Sequence, residues 1–456
     1  MAVPAAFAAL VVLVAFGSSS VSVADRIGGP GRWVALFALL VVAAGALVVR
    51  RVPLRVTPVA LAAGALAVLG LASATWSVLP GLTVQRAGTF AVLLLATALV
   101  GLLAAQDAAL ARRLLEALGG ATAVLALLGI LHYLVDPDIA VQAAEVTSGS
   151  RFRGIGENPN TLPMLFAVVL PAAGWLAATA SRRLVAAGWV AVAVLLLGSI
   201  SASGSRGAMI GAAPALALVL LLSTRGRVLA VALAATVAAF AVAVAGTSVS
   251  KPLPAPPAPV AAVPGDAAGE PLASPSGLAA LVAADGRPAD VVLDLGHDPN
   301  EIGRARPGQA SVAIRRTLFG SSGRAQAWDG GLRQSLDRPL LGFGFGTEDR
   351  VFLDRYYVFE STRIENSFLG FWLQIGVAGL LAFVAVLAVL AARLLRGWRE
   401  LRRTPGPAVA ASGIVLSGAV MAIPQSYVYS VGNVATAAFW AGAFVLGSAV
   451  LRGARR

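Results

Sequence analysis

The chain has 456 residues, of which 58% are hydrophobic and 12% are charged, and its mean hydropathy is +0.82. Soluble domains carry about 25% charged residues, so this composition excludes an ordinary soluble protein. Cysteine is absent, which excludes disulfides and thiolate metal sites. A formal net charge of +13 is compatible with an anionic partner such as nucleic acid until its distribution along the chain is known.

Long apolar runs without charge recur along the chain, each close to the ~20 residues that a helix needs to cross a bilayer. They predict an all-α polytopic membrane protein with about twelve transmembrane helices. The predicted spans are 2–17, 33–49, 57–74, 87–105, 116–135, 160–180, 184–201, 207–222, 228–246, 367–392, 407–424 and 432–450. No basic residue precedes the first span, so we expect a retained helix rather than a cleaved signal peptide.

The distribution of arginine predicts the orientation in the membrane. One set of loops holds 17 arginines, whereas the short loops of the other set hold 6. The excess of positive charge marks the cytoplasmic side, so both termini are predicted to be cytoplasmic. The cytoplasmic loops then carry a net charge of +14 and the exterior −1. The positive charge is therefore explained by topology, and we expect the lipid bilayer, not nucleic acid, as the surrounding partner.

Three parts follow from this layout: residues 1–246 with helices one to nine, an extracytoplasmic loop over 247–366, and residues 367–456 with the last three helices. Within the loop, 251–290 is rich in Pro, Ala and Gly and is predicted to be a flexible linker. We expect 311–366 to be ordered. An amphipathic helix is predicted there, with Leu318, Trp328, Leu332 and Leu336 on its apolar face, and Pro339 and a Gly-rich turn at 342–346 ending it.

Two arginine-bearing segments flank predicted spans on the exterior side. Arg206, in Ser203-Gly-Ser205-Arg-Gly207, could bind a phosphate or diphosphate, because a guanidinium forms bidentate contacts with such oxygens. It could equally be a snorkelling arginine in a turn. Arg151 and Arg153 could add positive field to the same site, and Asn160 could cap the helix that follows them.

Glu365 and Asn366 stand at the entry to the tenth span. A carboxylate beside buried apolar surface can act as a general base, which is one interpretation of Glu365. The alternative is a carboxylate that merely favours a helix N-terminus. Arg324 and Trp328 open the predicted loop helix and, taken alone, are an exposed arginine and a helix start.

The order of these motifs resembles the O-antigen ligase and O-antigen polymerase family of bacterial membrane proteins. The matching pieces are Trp76-Ser77-Val-Leu-Pro-Gly, Gly156-Glu-Asn158-Pro-Asn160, Ser203-Gly-Ser-Arg206-Gly207, Arg324-x-x-x-Trp328, Pro339-Leu-Leu-Gly342-x-Gly344, and Asn366-Ser-x-Leu followed by Gly376-x-x-Gly379. The resemblance covers about residues 30–395. It implies a fold similar to the C-superfamily membrane glycosyltransferases and a place in the bacterial inner membrane.

The resemblance also implies an activity. A glycan would pass from an undecaprenyl-diphosphate carrier to a hydroxyl of a glycan or glycolipid acceptor on the extracytoplasmic face, without a metal or cofactor. Arg206 and Arg324 would bind the diphosphate, and Glu365 stands where related ligases carry a histidine that acts on the acceptor. This departure leaves ligase and polymerase equally open. We expect substrate contacts from Arg151, Arg153, Asn160, Ser205, Trp328 and Asn366.

Two other functions compete with glycan transfer. A transporter would show ionisable residues or broken helices near the membrane midplane, and the predicted spans show almost none. A non-catalytic component of polysaccharide assembly or export is compatible with the same sequence.

Overall fold

The computed structural model describes residues 2–142, 151–223, 324–352 and 361–449. The predicted ninth span, 228–246, the predicted linker, 251–290, and Leu318 lie outside these ranges.

Helices make up most of the described chain. They are α1 (Ala2–Phe16), α2 (Ser22–Val49), α3 (Pro58–Ala72), α4 (Pro80–Gln106), α5 (Ala108–Val135), α6 (Pro137–Ala140), α7 (Thr161–Ala178), α8 (Arg183–Ser203), α9 (Arg206–Ser223), α10 (Arg324–Asp337), α11 (Glu348–Val351), α12 (Ser367–Arg403), α13 (Pro407–Met421) and α14 (Thr436–Ser448). A two-stranded antiparallel pair, β1 (Val141–Gln142) and β2 (Arg151–Phe152), lies between α6 and α7.

Eight helices in the described ranges are long and apolar enough to cross a membrane, namely α2, α3 with the short 3₁₀ turn that continues it, α4, α5, α7, α8, α9 and α12. Three shorter apolar helices, α1, α13 and α14, also coincide with predicted spans. The prediction of an all-α, multi-pass membrane protein is therefore confirmed. The total of twelve spans stays a prediction.

Burial shows how the bundle is layered. Helix α7 is apolar on every side and 83% of its span is buried, because α5, α8, α9 and α13 all pack against it. Helix α8 lies at the periphery, with only 17% of its span buried. The apolar side chains that α2 leaves exposed, such as Val34, Val41 and Val48, suit contact with lipid tails.

The two predicted sets of loops lie at opposite ends of the bundle. At one end, Arg50 forms an ion pair with Asp107, and Trp175 Nε1 donates to the carbonyl of Pro405. At the other end, Arg151 Nε donates to the carbonyl of Ser203. This separation agrees with the predicted division of the loops, whichever end is cytoplasmic.

Helix α12 is broken near its start, which the sequence did not predict. Ile375 and Gly376 leave helical geometry, and Gly376 has a φ of 69°. The Gly-rich loop 339–346 satisfies the freed backbone groups: Phe343 N–H donates to the carbonyl of Leu373, and Val377 N–H donates to the carbonyl of Pro339. A spanning helix tolerates such a break only where neighbouring protein satisfies its backbone.

Helix α12 also extends further than predicted, because residues 393–403 are helical rather than a loop. The arginines there are spaced between Leu394, Trp398 and Leu401, which recur on one face of a helix and pack against the core. The charged residues therefore continue the helix beyond its apolar span.

Helix α10 confirms the predicted loop helix and ends before Pro339, and Trp328 of its predicted apolar face packs against buried residues, but the two leucines predicted on that face do not. Leu332 and Leu336 are exposed, whereas Ala327 and Gly331 are buried. Gly331 allows a close approach of Ile364, since a Cβ atom there would lie 2.8 Å from that side chain. The small residues of α10 and Trp328, not its leucines, therefore form the packed face.

Candidate active site

A cavity of about 1120 Å³ lies at the end of the bundle predicted to be exterior. Five of the residues predicted for the site line it: Arg151, Asn160, Arg206, Arg324 and Glu365. They come from β2, the start of α7, the start of α9, the start of α10 and the segment before α12, so residues distant in sequence share one cavity.

Arg151 and Asn160 contact each other on the cavity wall. Arg151 donates from one terminal nitrogen to Asn160 Oδ1 at 2.8 Å and from Nε to the carbonyl of Ser203 at 2.8 Å. Asn160 occupies the N-cap position of α7 without a side-chain capping bond, so its predicted capping role is wrong. Its side chain instead holds the guanidinium, and Arg151 thereby joins α7 to the end of α8.

Arg206 is the first residue of α9 and follows a tight turn. Gly204 takes a left-handed conformation, with φ of 61°, which an L side chain adopts only at a cost. Ser205 is buried, and its carbonyl accepts a hydrogen bond from Met209 N–H of α9 at 3.0 Å. Arg206 follows the turn and lines the cavity, whereas Ser205, predicted to contact substrate, does not line it.

Arg324 and Trp328 lie one turn apart on α10. Among the described residues, Arg324 Nε is buried and has no hydrogen-bond partner. A buried guanidinium N–H without a partner is costly, so the position favours an acceptor supplied by a ligand. Trp328 does not line the cavity, and it donates from Nε1 to the carbonyl of Glu365 at 3.3 Å.

Glu365 is held in an unusual backbone conformation. Its φ of 57° lies in the left-handed region, which few residues other than glycine adopt. Its carboxylate accepts a hydrogen bond from Ser361 Oγ at 2.8 Å. Asn366 caps α12, because its Oδ1 accepts hydrogen bonds from the N–H groups of Phe368 and Leu369. Its side chain therefore stabilises the helix start, and it does not line the cavity as predicted for a substrate contact.

Arg153 lies away from the cavity. Its Nε donates to the carbonyl of Ile139 at 2.6 Å, which ties the segment before α7 to α6. Substrate contact by Arg153 thus has no support in the described geometry.

Glu348 is a buried acid of the cavity that sequence reasoning missed. It accepts hydrogen bonds from Ser426 Oγ at 2.8 Å, from Ile364 N–H at 2.9 Å and from Tyr429 OH at 2.5 Å. Burial raises the pKa of the Glu348 carboxyl, against the lowering effects of the Arg363 charge and these hydrogen bonds. Since Ile364 precedes Glu365, Glu348 fixes the segment that carries the proposed base.

Three further residues of the cavity were also missed: Arg86, Asp349 and Arg363. Arg86 forms an ion pair with Asp349. Burial acts to raise the pKa of Asp349, but the hydrogen bond and charge of Arg86 outweigh it and lower that pKa. The available signal was the acidic pair Glu348-Asp349, one residue after the Gly-rich turn, in a loop expected to be ordered.

The cavity is lined by more positive than negative groups. Within the described chain its arginines are Arg32, Arg86, Arg151, Arg206, Arg324 and Arg363, and its acids are Glu157, Glu348, Asp349 and Glu365. Fixed positive charge in a concave, partly dry site attracts an anion such as a diphosphate.

Comparison with known proteins bears on this arrangement. Residues 191–384 match the family model described as O-antigen ligase. The matched segment includes Arg206, Arg324, Glu348 and Glu365, whereas Arg151 precedes it. No curated protein matches the chain. The resemblance predicted from the sequence is therefore confirmed over residues 191–384, in a chain whose described helices are those of a multi-pass membrane protein.

Proposed function

We propose that the protein transfers a glycan from an undecaprenyl-diphosphate carrier to an acceptor hydroxyl at the extracytoplasmic face of the bacterial inner membrane. The observation that carries the proposal is that Arg206, Arg324 and Glu365 line one cavity, in a chain with an O-antigen ligase family domain. An anion-binding pair and a carboxylate are the groups that this reaction requires.

The proposed reaction is a displacement at the anomeric carbon of the donor. The acceptor oxygen forms a new bond to that carbon, and the bond from the carbon to the diphosphate oxygen breaks. Glu365 takes the proton from the acceptor hydroxyl, as a general base does. Undecaprenyl diphosphate leaves with the bonding electrons.

Arg206 and Arg324 would stabilise the negative charge that develops on the departing diphosphate. Fixed donors aimed at a developing charge are among the largest contributions to catalysis. Arg324 supports this role because its buried Nε has no partner in the described chain. Two guanidiniums can supply the stabilisation that a divalent cation would otherwise give, so the proposed mechanism uses no metal.

Support for Glu365 comes from how firmly its segment is held. Trp328, Ser361 and Glu348 bond to Glu365 or to the residue before it. A strained backbone conformation that the surroundings maintain is a feature of functional sites. The proposed base therefore has a defined position relative to the cavity.

A transporter is the second candidate, and the break in α12 is the observation that favours it. The break lies close to the start of α12, not at its middle, and loop 339–346 bonds the freed backbone groups. Those groups are then occupied rather than available to a transported solute, so the break supports glycan transfer as well as it supports transport.

Turnover separates these functions. We expect the purified protein, in lipid nanodiscs with undecaprenyl-diphosphate-linked glycan and a glycan acceptor, to release undecaprenyl diphosphate and form a glycosylated product. Movement of the lipid-linked glycan across a vesicle membrane without product would support a transporter. A protein that shows neither transfer nor transport in these assays would be a non-catalytic assembly component.

A further inference from the structure

Gln374 is a buried side chain with an unused donor on the wall of the same cavity. The residue is fully buried, and its Oε1 accepts a hydrogen bond from Gly346 N–H at 2.5 Å. Its Nε2 has no partner among the described residues. Since Gln374 also lines the cavity, the missing acceptor can come from a bound molecule.

The orientation of the amide is fixed by its surroundings. The Gly346 N–H can only donate, so the atom facing it must be the amide oxygen. Nε2 then has two N–H groups without an acceptor in the described chain. Leaving a buried donor unpaired costs about 1–3 kcal/mol, so the arrangement favours a ligand with an acceptor oxygen at this position.

An acidic acceptor is linked to Gln374 through Gly346 and Arg86. Arg86 donates both to the carbonyl of Gly346 and to Asp349, with 3.0 Å between its second terminal nitrogen and Asp349 Oδ2. Gly346 thus bonds to Gln374 through its N–H and to Arg86 through its carbonyl. The network places an amide donor and a carboxylate acceptor on one wall.

The charge of this network decides which ligand it suits. Arg86 is neutralised by Asp349, so the group formed by Gln374, Arg86 and Asp349 has no net charge. A phosphate gains little from a neutral patch that includes a carboxylate, whereas a hydroxyl can accept from the amide and donate to the carboxylate. The guanidiniums proposed for the diphosphate lie on other elements, α9 and α10.

We propose that Gln374, Asp349 and Arg86 form a sugar-binding subsite that takes the hydroxyl groups of one sugar ring. The proposal rests on the proposed function, in which donor and acceptor are both glycans. The sugar belongs either to the donor or to the acceptor, and kinetics can tell the two apart.

The first test measures the binding of methyl hexosides to the full-length protein in detergent, with saturation-transfer NMR as the method. We expect wild-type protein to bind at least one methyl hexoside, and Gln374→Glu to bind it about tenfold more weakly. Glu keeps the oxygen that faces Gly346 N–H and removes the two donors. Gln106→Glu, the same change at the exposed end of α4, should bind like wild type.

Monodeoxy analogues of that hexoside test the contact without a variant. One hydroxyl should account for the effect: removing it should weaken binding to wild type and abolish the difference between wild type and Gln374→Glu. Equal binding by wild type and Gln374→Glu, or no binding of any methyl hexoside to wild type, would overturn the proposal.

Steady-state transfer identifies the source of the sugar. A raised KM for the acceptor in Gln374→Glu places the acceptor sugar at the subsite, and a raised KM for the donor places the donor sugar there. If wild type transfers glycan but both KM values are unchanged in Gln374→Glu, the subsite is wrong and the proposed function stands. If wild type binds a hexoside but transfers nothing, the proposed function fails instead.

Discussion

The Glu365 carboxylate owes its position to groups that contact its backbone more than to its own side chain. A left-handed conformation costs an L-residue roughly 1–2 kcal/mol, and the φ of 57° at Glu365 persists because Trp328 bonds its carbonyl and Glu348 bonds the preceding N–H. The side chain itself has one described partner, Ser361. Ser361 bonds to one of its two carboxylate oxygens, Oε1.

Glu365→Gln tests the proposed base. Glutamine keeps the size and hydrogen bonding of the side chain but cannot take a proton, and loss of a general base typically costs roughly 10²–10⁴-fold. We expect a fall of that size in the transfer rate with donor binding retained, and partial rescue by Glu365→His or Glu365→Asp. The measurement is single-turnover transfer by purified protein.

Glu116→Gln is the matched control, since Glu116 lies near the end of the bundle predicted to be cytoplasmic and forms an ion pair with Arg112 on its own helix. Exposed pairs of this kind contribute little, so its rate should equal that of wild type. Transfer by Glu365→Gln within a few-fold of wild type would mean that Glu365 is only a helix-start carboxylate.

Arg206 and Arg324 are predicted to act through the shape of the guanidinium as well as its charge. Lysine is a point charge and cannot form the bidentate contact, so Arg206→Lys and Arg324→Lys should each lower the transfer rate by about 10²-fold. Arg113→Lys, at an exposed position on α5, should leave it unchanged. Wild-type rates in both cavity variants would exclude a shared diphosphate site.

Glu348 makes stability depend on pH in a defined direction. Its pKa in the folded protein is raised by burial above the ordinary value of 4.5, so the folded state holds the proton more tightly than the unfolded chain. The contribution of Glu348 to stability is therefore fully present below pH 4.5 and is lost as pH rises through the raised pKa.

Glu348→Gln removes this titration because glutamine stays neutral. The melting temperature of the variant minus that of wild type should therefore increase with pH, measured in detergent from about pH 4 to about pH 8. Glu157→Gln, an exposed position on the same cavity, should show no such trend. A difference that is constant across this range would show that the Glu348 pKa is not raised.

At the scale of elements, the break in α12 and loop 339–346 form one unit. Gly376 has φ of 69°, and a Cβ atom there would lie 1.9 Å from the carbonyl oxygen of Leu340. Trp76 adds a second attachment, because its Nε1 donates to the carbonyl of Leu341 at 2.8 Å. Three motifs that the sequence presents separately, around Trp76, Pro339 and Gly376, therefore dock on one another.

Gly376→Ala should disrupt this unit. The substitution adds both the strain of a left-handed alanine, about 1–2 kcal/mol, and a collision with backbone that cannot move aside. We expect a clearly lower melting temperature in detergent. Gly88→Ala, in the helical part of α4 with no atom within 4 Å of the new Cβ, should be neutral or stabilising. Equal melting temperatures for the two variants would contradict the docked arrangement.

Helix α10 shows why a helical pattern alone misplaced a buried face. Its leucines are exposed together with Leu340 and Leu341 of the loop that follows. Trp372, near them, donates from Nε1 to the carbonyl of Pro339. Exposed leucines beside tryptophan are typical of a membrane–water interface, so the exposure of these leucines suits contact with lipid rather than with the protein core.

For the whole molecule, the predictable part follows from bilayer physics. The need to satisfy backbone hydrogen bonds in lipid makes each apolar run a helix, and helices α1 to α5, for example, each contain most or all of a predicted span. Helices α2, α4 and α5 nevertheless begin at residues 22, 80 and 108, before the predicted starts at 33, 87 and 116. The extension of α12 to Arg403 was missed because hydropathy detects contact with lipid, not helicity in water. The break at Gly376 depends on a loop 30 or more residues earlier, which local pattern does not reveal.

The candidate site was also predictable only in part, because some of its residues are recognisable only from contacts between distant segments. Arg206 and Glu365 could be singled out because charges at span edges are costly and few, whereas Arg324 was singled out only through the family resemblance. Glu348 and Gln374 could not, because their roles depend on burial and on hydrogen bonds to distant segments such as the one holding Ser426 and Tyr429. In sequence, Gln374 is simply a polar residue in an apolar run.

The final prediction concerns the side of the membrane on which the cavity opens. The structure separates two ends of the bundle, and the 17-to-6 distribution of arginine between the corresponding loop sets predicts that the end opposite the cavity is cytoplasmic. Alkaline phosphatase is active only outside the cytoplasm. Fusions after Thr404 should therefore be inactive, and fusions near Ala280 should be active. The described residues on either side of 224–323 lie at opposite ends of the bundle: Ser223 is at the end of α9 far from the cavity, whereas Arg324 lines the cavity. This agrees with one membrane crossing between them, as the predicted ninth span requires. Activity after Thr404, or its absence near Ala280, would place the cavity in the cytoplasm, where a lipid-linked glycan presented at the outer face could not reach it.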